Sequence, residues 1–195
     1  MNLQLSMAAF ALAASISPGP VNLVALSCGA RYGLRASLRH VTGATLGFTL
    51  LLLAMGLGLQ QLLNQWPMLG ALIRWAGVAF LLYMAYGLAR ADGRLDGGQA
   101  QRPPSLFTGA LMQWLNPKAW LAALAGMGAY GAGGEPGLVG QFAVLYFVIC
   151  YLSIACWAYA GACMGRYLQA PGRLRLFNRG LALLLLGSAV YLLGG

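Results

Sequence analysis

The sequence has little charge for its length. Of its 195 residues, 8% are charged and 60% are hydrophobic, whereas a soluble globular chain carries about 25% charged residues. Such a composition excludes a soluble enzyme and a disordered protein. The same composition excludes a secreted module held together by disulfide bonds, and the chain has only four cysteines. The composition therefore predicts an integral membrane protein.

Acidic residues are almost absent. The three acids are Asp92, Asp96 and Glu135. None of them lies in an apolar stretch, so neither a catalytic carboxylate pair nor a carboxylate-bound metal is expected in the membrane. No Cys-x-x-Cys spacing occurs, which argues against a zinc knuckle and a thioredoxin-like motif. The single histidine, His40, lies beside an arginine cluster, and we interpret it as a solvated or interfacial residue. We expect no catalytic residue, no metal ligand and no cofactor, and hence no enzyme.

The formal net charge of +9 does not indicate a nucleic-acid-binding protein. The basic residues of such a protein form a continuous patch or stripe, whereas most arginines here gather in short clusters between long apolar stretches. That arrangement is typical of the loops that orient a membrane protein. We therefore expect the lipid bilayer as a partner, and no nucleic acid.

Six apolar stretches are long enough to cross a membrane as helices. A span needs about 20 residues, because a helix rises about 1.5 Å per residue and the hydrocarbon core is about 30 Å thick. The sequence therefore predicts an all-α integral membrane protein with six transmembrane helices, at residues 3–28, 41–59, 68–88, 106–130, 138–164 and 176–193.

The basic residues orient these spans. Cytoplasmic loops of membrane proteins carry an excess of Lys and Arg. Here the first, third and fifth loops carry every basic residue outside the predicted spans, and the second and fourth loops carry none. The sequence therefore predicts cytoplasmic first, third and fifth loops, with both termini outside. The arginines of these loops are Arg31, Arg35, Arg39, Arg90, Arg94, Arg102, Arg166, Arg173 and Arg175, and Arg179 lies near the cytoplasmic start of span six.

A connector at residues 92–105, rich in Gly, Gln and Pro, divides the chain into two halves of three spans. An odd number of spans per half means that the second half enters the membrane in the opposite orientation. This is the layout of an inverted-topology repeat, in which transporters place their site between discontinuous helices. We predict a single transmembrane transporter domain over residues 1–195, with half-repeats at 1–91 and 106–195.

Each half contains a proline motif in its first span. The motifs are Ser17–Asn22 (SPGPVN) and Gln113–Lys118 (QWLNPK). Proline lacks an N–H and clashes with the preceding turn, so helices 1 and 4 are predicted to be broken. Backbone groups released at membrane depth are tolerated only where protein or a water-filled cavity satisfies them. A shared polar cavity is therefore expected, with the substrate-binding residues Ser17, Pro18, Gly19, Pro20, Asn22, Gln113, Asn116, Pro117 and Lys118.

Besides Arg179, two basic residues lie inside predicted spans. Lys118 is roughly a dozen residues into its span, about 18 Å along the helix, which is too deep for its ammonium to reach the headgroups easily. An ionisable residue at that depth indicates a functional site, where Lys118 would pair with a substrate carboxylate or release a proton as the substrate leaves. Arg74 lies near the outer end of span three. Its side chain either extends to the outer headgroups or forms an outer gate that attracts a carboxylate.

Small residues in the spans are interpreted as packing residues. The pairs Gly43-x-x-x-Gly47 and Gly161-x-x-x-Gly165 have the spacing of closely packed membrane helices, and we expect them to pack helices within one subunit. The same interpretation, as small apolar packing residues, applies to the cysteines, which are Cys28, Cys150, Cys156 and Cys163.

The proline motifs and several other segments together resemble the lysine exporter (LysE/RhtB) family of amino-acid efflux transporters. The resemblance covers nearly the whole chain, through Ser17–Asn22, 33–37, 43–47, 75–81 and Gln113–Ala119. It implies a six-span protein of the bacterial inner membrane that exports a small zwitterionic amino acid or derivative, driven by the proton gradient. Residues 156–161 (CWAYAG) resemble the cysteine/O-acetylserine exporter branch. Some members carry an Asp directly after Pro-Gly-Pro; here that residue is Val21, which puts a carboxylate-based coupling step at this position in doubt.

Two other classes of protein are alternatives to an exporter. A non-transporting scaffold or assembly subunit would leave the paired breaks and Lys118 without a purpose. A membrane thiol oxidoreductase would need a cysteine pair from the two broken helices, but span one offers only Cys28 and span four offers none. The sequence leaves open which amino acid is moved, which ion is coupled, and whether the protein is a monomer or a homodimer.

The predicted orientation can be tested by thiol labelling. In a background without the four native cysteines, a cysteine at Gly134 should react with an impermeant thiol reagent added outside intact cells, whereas one at Gly98 should react only after the cells are opened. The reverse labelling pattern would contradict the orientation.

Overall fold

The computed structural model describes residues 2–90, 105–131, 135–165, 167 and 170–194, and every regular element in these ranges is helical. This confirms the predicted all-α class. The predicted connector lies outside the described residues, apart from Ser105. The helices are α1 Leu3–Ile16, α2 Pro20–Ala54, a π-helical turn Met55–Leu59, α3 Gln60–Gln65, α4 Pro67–Arg90, α5 Leu106–Trp114, α6 Pro117–Tyr130, α7 Pro136–Met164 and α8 Pro171–Gly194.

The chain breaks at the first proline motif. Helix α1 stops at Ile16, and α2 begins at Pro20. Between them, Ser17 (φ −64°, ψ 144°) and Gly19 (φ −170°, ψ 170°) are extended. Each of these two residues precedes a proline, and the ring of a proline disfavours the helical conformation for the residue before it. The extended segment is therefore a local consequence of the Pro-Gly-Pro sequence.

The second proline motif breaks the chain in the same way. Helix α5 ends at Trp114, and α6 begins at Pro117. Asn116, which precedes that proline, is extended (φ −95°, ψ 107°). The side-chain oxygen of Asn116 accepts a hydrogen bond from the backbone N–H of Lys118 at 3.2 Å. Asn116 thus ends one helix and caps the next.

A third interruption lies within α2 at Gly33. Its φ of 77° and ψ of 171° are not helical, and a positive φ is accessible to glycine at little cost. We call residues 20–32 the first arm of α2 and residues 34–54 its second arm. The two arms correspond to the end of predicted span one and most of predicted span two.

The first arm runs parallel to α7 and packs closely against it. Gly161 faces the backbone at Leu26, and Gly165 faces the backbone at Ala30. A Cβ atom at Gly29 would overlap the carbonyl oxygen of Ala158 on α7. The absence of side chains lets these two backbones touch, which confirms the predicted role of the Gly161-x-x-x-Gly165 pair in packing within the subunit.

The second arm runs along α7 in the opposite direction. The rings of Phe48 and Tyr146 lie 4.5 Å apart between centroids, and Gly56, just after the second arm, faces Val139. Residues later in this part of the chain therefore contact residues earlier in α7. Because the first arm is parallel to α7 and the second is antiparallel, the chain reverses direction at the Gly33 interruption.

A second glycine seam joins the second arm to α5. Gly43 faces the backbone of Leu106, and Gly47 faces that of Ala110. The two helices run parallel, since residue numbers rise together along both. The Gly43-x-x-x-Gly47 pair thus also packs helices within the subunit, as predicted.

Helices α4 and α8 form a separate pair that packs against the first arm. Leu81 and Ala85 of α4 contact Leu185 of α8 in an apolar cluster, which Leu23 and Leu26 of the first arm complete. The main apolar cluster lies between α1, α2, α5, α6 and α7. Both broken helices contribute to that main cluster.

The outer surface is apolar. Large hydrophobic side chains on several helices are more than half exposed, among them Leu57, Met68, Tyr83 and Leu183, as expected of a surface that faces lipid. By length and composition, three helical stretches of the described chain can cross a membrane, at Pro20–Leu59, Met68–Arg90 and Pro136–Met164. The first of these includes the reversal at Gly33.

The glycine seam between the first arm and α7 predicts a stability effect. Gly29→Ala should force these helices apart, and overpacking of this kind costs about 1–3 kcal/mol. We expect a lower melting temperature in detergent by a fluorescence assay. The matched control is Gly140→Ala on α7, where an added Cβ meets nothing within 4 Å. Equal melting temperatures for the two variants would contradict the close approach.

Candidate functional site

Lys118 connects the two breaks. It lies in the first turn of α6, and its ammonium group donates hydrogen bonds to the carbonyl oxygens of Ser17 at 2.6 Å and Pro18 at 3.2 Å. Its side chain is half-buried. A lysine in one half of the chain is thus bound to the extended segment of the other half, about 100 residues earlier in the sequence.

The other carbonyls released at the end of α1 also have donors. The side-chain amide of Asn22 donates to Ser15 O at 2.8 Å and to Ser17 O at 2.9 Å. The indole N–H of Trp157 on α7 donates to Ile16 O at 2.9 Å. These acceptors are therefore satisfied by side chains from α2, α6 and α7, as the membrane interior requires.

The two helices that begin at the breaks are capped differently. At α6, Asn116 supplies both a side-chain acceptor and a backbone acceptor, the latter for the N–H of Ala119 at 2.9 Å. At α2, the N-cap residue is Gly19, and no side chain of the described residues caps this end. The first N–H groups of α2, at Val21 and Asn22, therefore form an uncapped, partially positive helix end.

A small cavity of about 40 Å³ lies at this helix end. It has room for a few water molecules. Its walls come from α1, both arms of α2, both sides of the second break and α7. The polar side chains that line it belong to Ser15, Asn22, Gln113, Asn116, Lys118, Tyr146 and Cys150.

A larger cavity of about 480 Å³ adjoins the same breaks. Gly19, Asn116 and Lys118 line both cavities. The rest of the larger wall is mainly apolar and comes from the prolines of both motifs together with α4, α6 and α8. Lys118 and the extended segments therefore lie between a small polar space and a wider apolar one.

Most of the predicted site residues meet in these two cavities. Gly19, Asn22, Gln113, Asn116 and Lys118 line the small cavity, and the three prolines of the motifs line the larger one. Ser17 does not line either cavity, and its hydroxyl donates instead to Ala14 O at 3.2 Å. Its backbone carbonyl is the part that contacts Lys118.

Arg74 lies apart from this group. Its side chain is exposed on α4 and lines a third cavity of about 200 Å³, together with Ile73, Leu115 and Trp120. Pro117 and Leu121 also line this third cavity, which makes it a neighbour of the larger one. Both interpretations of Arg74, contact with headgroups and an outer gate, stay predictions.

The interpretation of His40 as solvated or interfacial was wrong. His40 is fully buried, with 0% exposure. Its imidazole lies against the backbone of Val21, and neither ring nitrogen has a hydrogen-bond partner among the described residues. The reason is its helical position, three residues before Gly43 and seven before Gly47, which puts it on the face that packs against α5.

The cysteines are only partly the packing residues that we expected. Cys28 and Cys150 are buried, whereas Cys156 and Cys163 are exposed, and all four thiols are free. Cys150 also lines the small cavity, together with Ser15 and Tyr146. None of these three residues was among the predicted site residues. A usable signal was the spacing of Tyr146 and Cys150, which places them one turn apart on one face of α7.

Comparison with known proteins identifies the family. The LysE type translocator family matches residues 12–195. The chain belongs to this family. No solved structure matches it.

Curated relatives of the chain carry a more specific name. The chain is 32% identical over 184 residues to proteins of Escherichia coli strain K12 and Shigella flexneri, both named cysteine/O-acetylserine efflux protein. A protein of the same name from Escherichia coli O1:K1 is 31% identical over 184 residues. In each case the match covers 93% of this chain and 92% of the relative.

Family membership fixes the class of protein. The chain is a multi-pass membrane protein and a transporter, not an enzyme. This removes the support for a thiol oxidoreductase and for a scaffold subunit. The resemblance inferred from the two proline motifs is confirmed.

Proposed function

We propose that this translocator is a secondary exporter of a small amino acid or derivative, such as cysteine or O-acetylserine, across the bacterial inner membrane. Its site is the space between the two broken helices. The observation that carries the proposal is the position of Lys118, whose ammonium lies on the first break beside the uncapped start of α2.

The substrate carboxylate binds between Lys118 and α2. An ammonium group has three donors, of which two are used in the contacts with Ser17 O and Pro18 O. The third donor, together with the backbone N–H groups of Val21 and Asn22, matches the oxygens of a carboxylate. Gly19 makes this approach possible, because a Cβ atom there would lie 3.2 Å from the lysine Nζ.

The substrate ammonium binds to neutral oxygens. All three acids of the chain lie outside the predicted spans, so no carboxylate there can pair with it. The available acceptors are the carbonyls of the first break and the side-chain oxygen of Gln113, which already accepts from Asn116 at 3.3 Å. When a zwitterion enters, its ammonium competes with Lys118 for Ser17 O, and its carboxylate attracts the ammonium of Lys118. Substrate binding therefore rearranges the hydrogen bond between Lys118 in one half of the chain and Ser17 in the other.

An inverted repeat of three plus three spans accounts for the packing. Span one, which ends in the first arm of α2, packs parallel to α7, the predicted span five. The second arm, in span two, packs parallel to α5, which begins span four. A twofold axis in the membrane plane would exchange these two pairs and would map the α4–α8 pair onto itself. The two glycine seams are counterparts in this arrangement.

Two further features of the proposal come from the sequence and the family resemblance. The basic loops support an orientation with both termini outside, and the resemblance to exporters implies coupling to the proton gradient. Exchange of substrate for protons that move inward would drive export from the cytoplasm, with the broken helices exposed alternately to either side.

The test is uptake of labelled O-acetylserine and cysteine into everted membrane vesicles, where export appears as uptake. Lys118→Met retains the length of the side chain and removes its charge, so we expect near-complete loss of uptake at normal membrane abundance. Lys118→Arg keeps the charge and should lose less. The control is Gln141→Met on the exposed surface of α7, which should behave as wild type.

Two results would contradict the proposal. If Lys118→Met transports at the wild-type rate with unchanged pH dependence, the lysine does not bind substrate. If wild-type vesicles take up no amino acid from a broad panel while the protein is present in the membrane, the protein is not an amino-acid exporter.

A further inference from the structure

We propose that Ser15, Tyr146 and Cys150 form a side-chain subsite, which selects substrates that carry a hydroxyl, a thiol or an ester oxygen at the γ position of the side chain. The inference rests on the proposed function, because it concerns the same cavity. It adds a determinant of specificity to the carboxylate site at Lys118.

An unpaired buried hydroxyl indicates the subsite. The side chain of Ser15 is 9% exposed and lines the small cavity, yet its Oγ makes no hydrogen bond of normal geometry to Tyr146 and Cys150 beside it or to any other described residue. Buried polar side-chain atoms are usually paired, so each exception requires an explanation. A ligand group that enters the cavity would supply the missing partner.

Two further polar groups converge on the same place. The side chains of Tyr146 and Cys150 lie beside Ser15. Both are almost fully buried, at 2% and 3% exposure, and both line the cavity. A phenol, a thiol and a serine hydroxyl can each donate or accept a hydrogen bond. They therefore suit an oxygen or sulfur atom that can do either.

The subsite lies one short amino acid away from the carboxylate site. Ser15 is two residues before Ser17, whose carbonyl accepts a hydrogen bond from Lys118. The Cα atoms of residues two apart in the chain are separated by at most about 7 Å. Asn22 fixes this spacing, since its amide donates to the carbonyls of both serines. A substrate whose carboxylate lies at Lys118 can thus place its γ-atom near Ser15.

The walls of the cavity limit the width of the side chain. The cavity measures about 40 Å³, and Phe48 and Ile154 close it as fully packed residues. The ring of Phe48 packs directly on Tyr146, so the wall cannot retreat without disrupting the core. Aromatic side chains are therefore excluded. Cysteine, serine and O-acetylserine share a heteroatom at the γ position, whereas alanine has none.

The test measures the preference for a γ-heteroatom. Uptake of labelled O-acetylserine into everted vesicles is inhibited with unlabelled cysteine, serine or alanine. The preference is defined as the inhibitory concentration of alanine divided by that of cysteine or serine. Ser15→Ala should lower this ratio about tenfold, because a factor of that size corresponds to the loss of one hydrogen bond to the substrate. Tyr146→Phe, which removes only the hydroxyl, should lower it in the same direction.

The matched control is Ser153→Ala. Ser153 is also a buried serine with an unpaired hydroxyl, but it does not line the small cavity. Its substitution should leave the ratio unchanged. If a variant transports too slowly, the same ratio is obtained from the amino-acid concentrations that raise the melting temperature of the purified protein.

The outcomes separate the subsite from the proposed function. Transport by the wild type with an unchanged ratio in both Ser15→Ala and Tyr146→Phe would overturn the subsite alone. An equal fall of the ratio in Ser153→Ala would overturn it as well, because the effect would not come from the cavity. Failure of the wild type to transport any of these amino acids would overturn the proposed function, and the subsite with it.

Discussion

The structure depends on how the carbonyl groups at the end of α1 are satisfied. In a membrane, a backbone carbonyl without a donor costs several kcal/mol, of the order of a whole folding stability. The Pro-Gly-Pro sequence creates several such carbonyls, and donors reach them from Asn22, Lys118 and Trp157. The break can exist only because α2, α6 and α7 surround it, so the same contacts assemble the fold and the candidate site.

Glycine seams allow these helices to come close enough. The first arm of α2 touches α7 at Gly161, and the second arm touches α5 at Gly43. Backbone contact at both seams holds spans one and four, which carry the breaks, at fixed positions on their partners. Lys118 can then reach across to Ser17 O. A larger residue at either glycine seam would separate the helices and move Lys118 out of hydrogen-bonding distance of Ser17 O.

Local backbone rules made part of this structure predictable. The breaks at Pro18, Pro20 and Pro117 follow from constraints that act on neighbouring residues, so the sequence was sufficient to locate them. The hydrogen-bond partners of Lys118 were not predictable. They are backbone carbonyls of a distant segment, and since every residue has a backbone carbonyl, the sequence does not mark which of them accept from the lysine. The burial of His40 was recoverable in principle from its spacing to Gly43. The position of Ser15 at the small cavity was not, since its environment depends on the docking of α7.

The central claim is that the interruption of span one creates the transport site. It is tested most directly by uptake of labelled O-acetylserine into everted vesicles that contain Pro18→Ala/Pro20→Ala at wild-type abundance, with Pro136→Ala at the start of α7 as the control. The account predicts normal insertion and no uptake for the double variant, because a continuous helix would use the carbonyls and N–H groups that the site requires. Uptake at the wild-type rate by the double variant would contradict it.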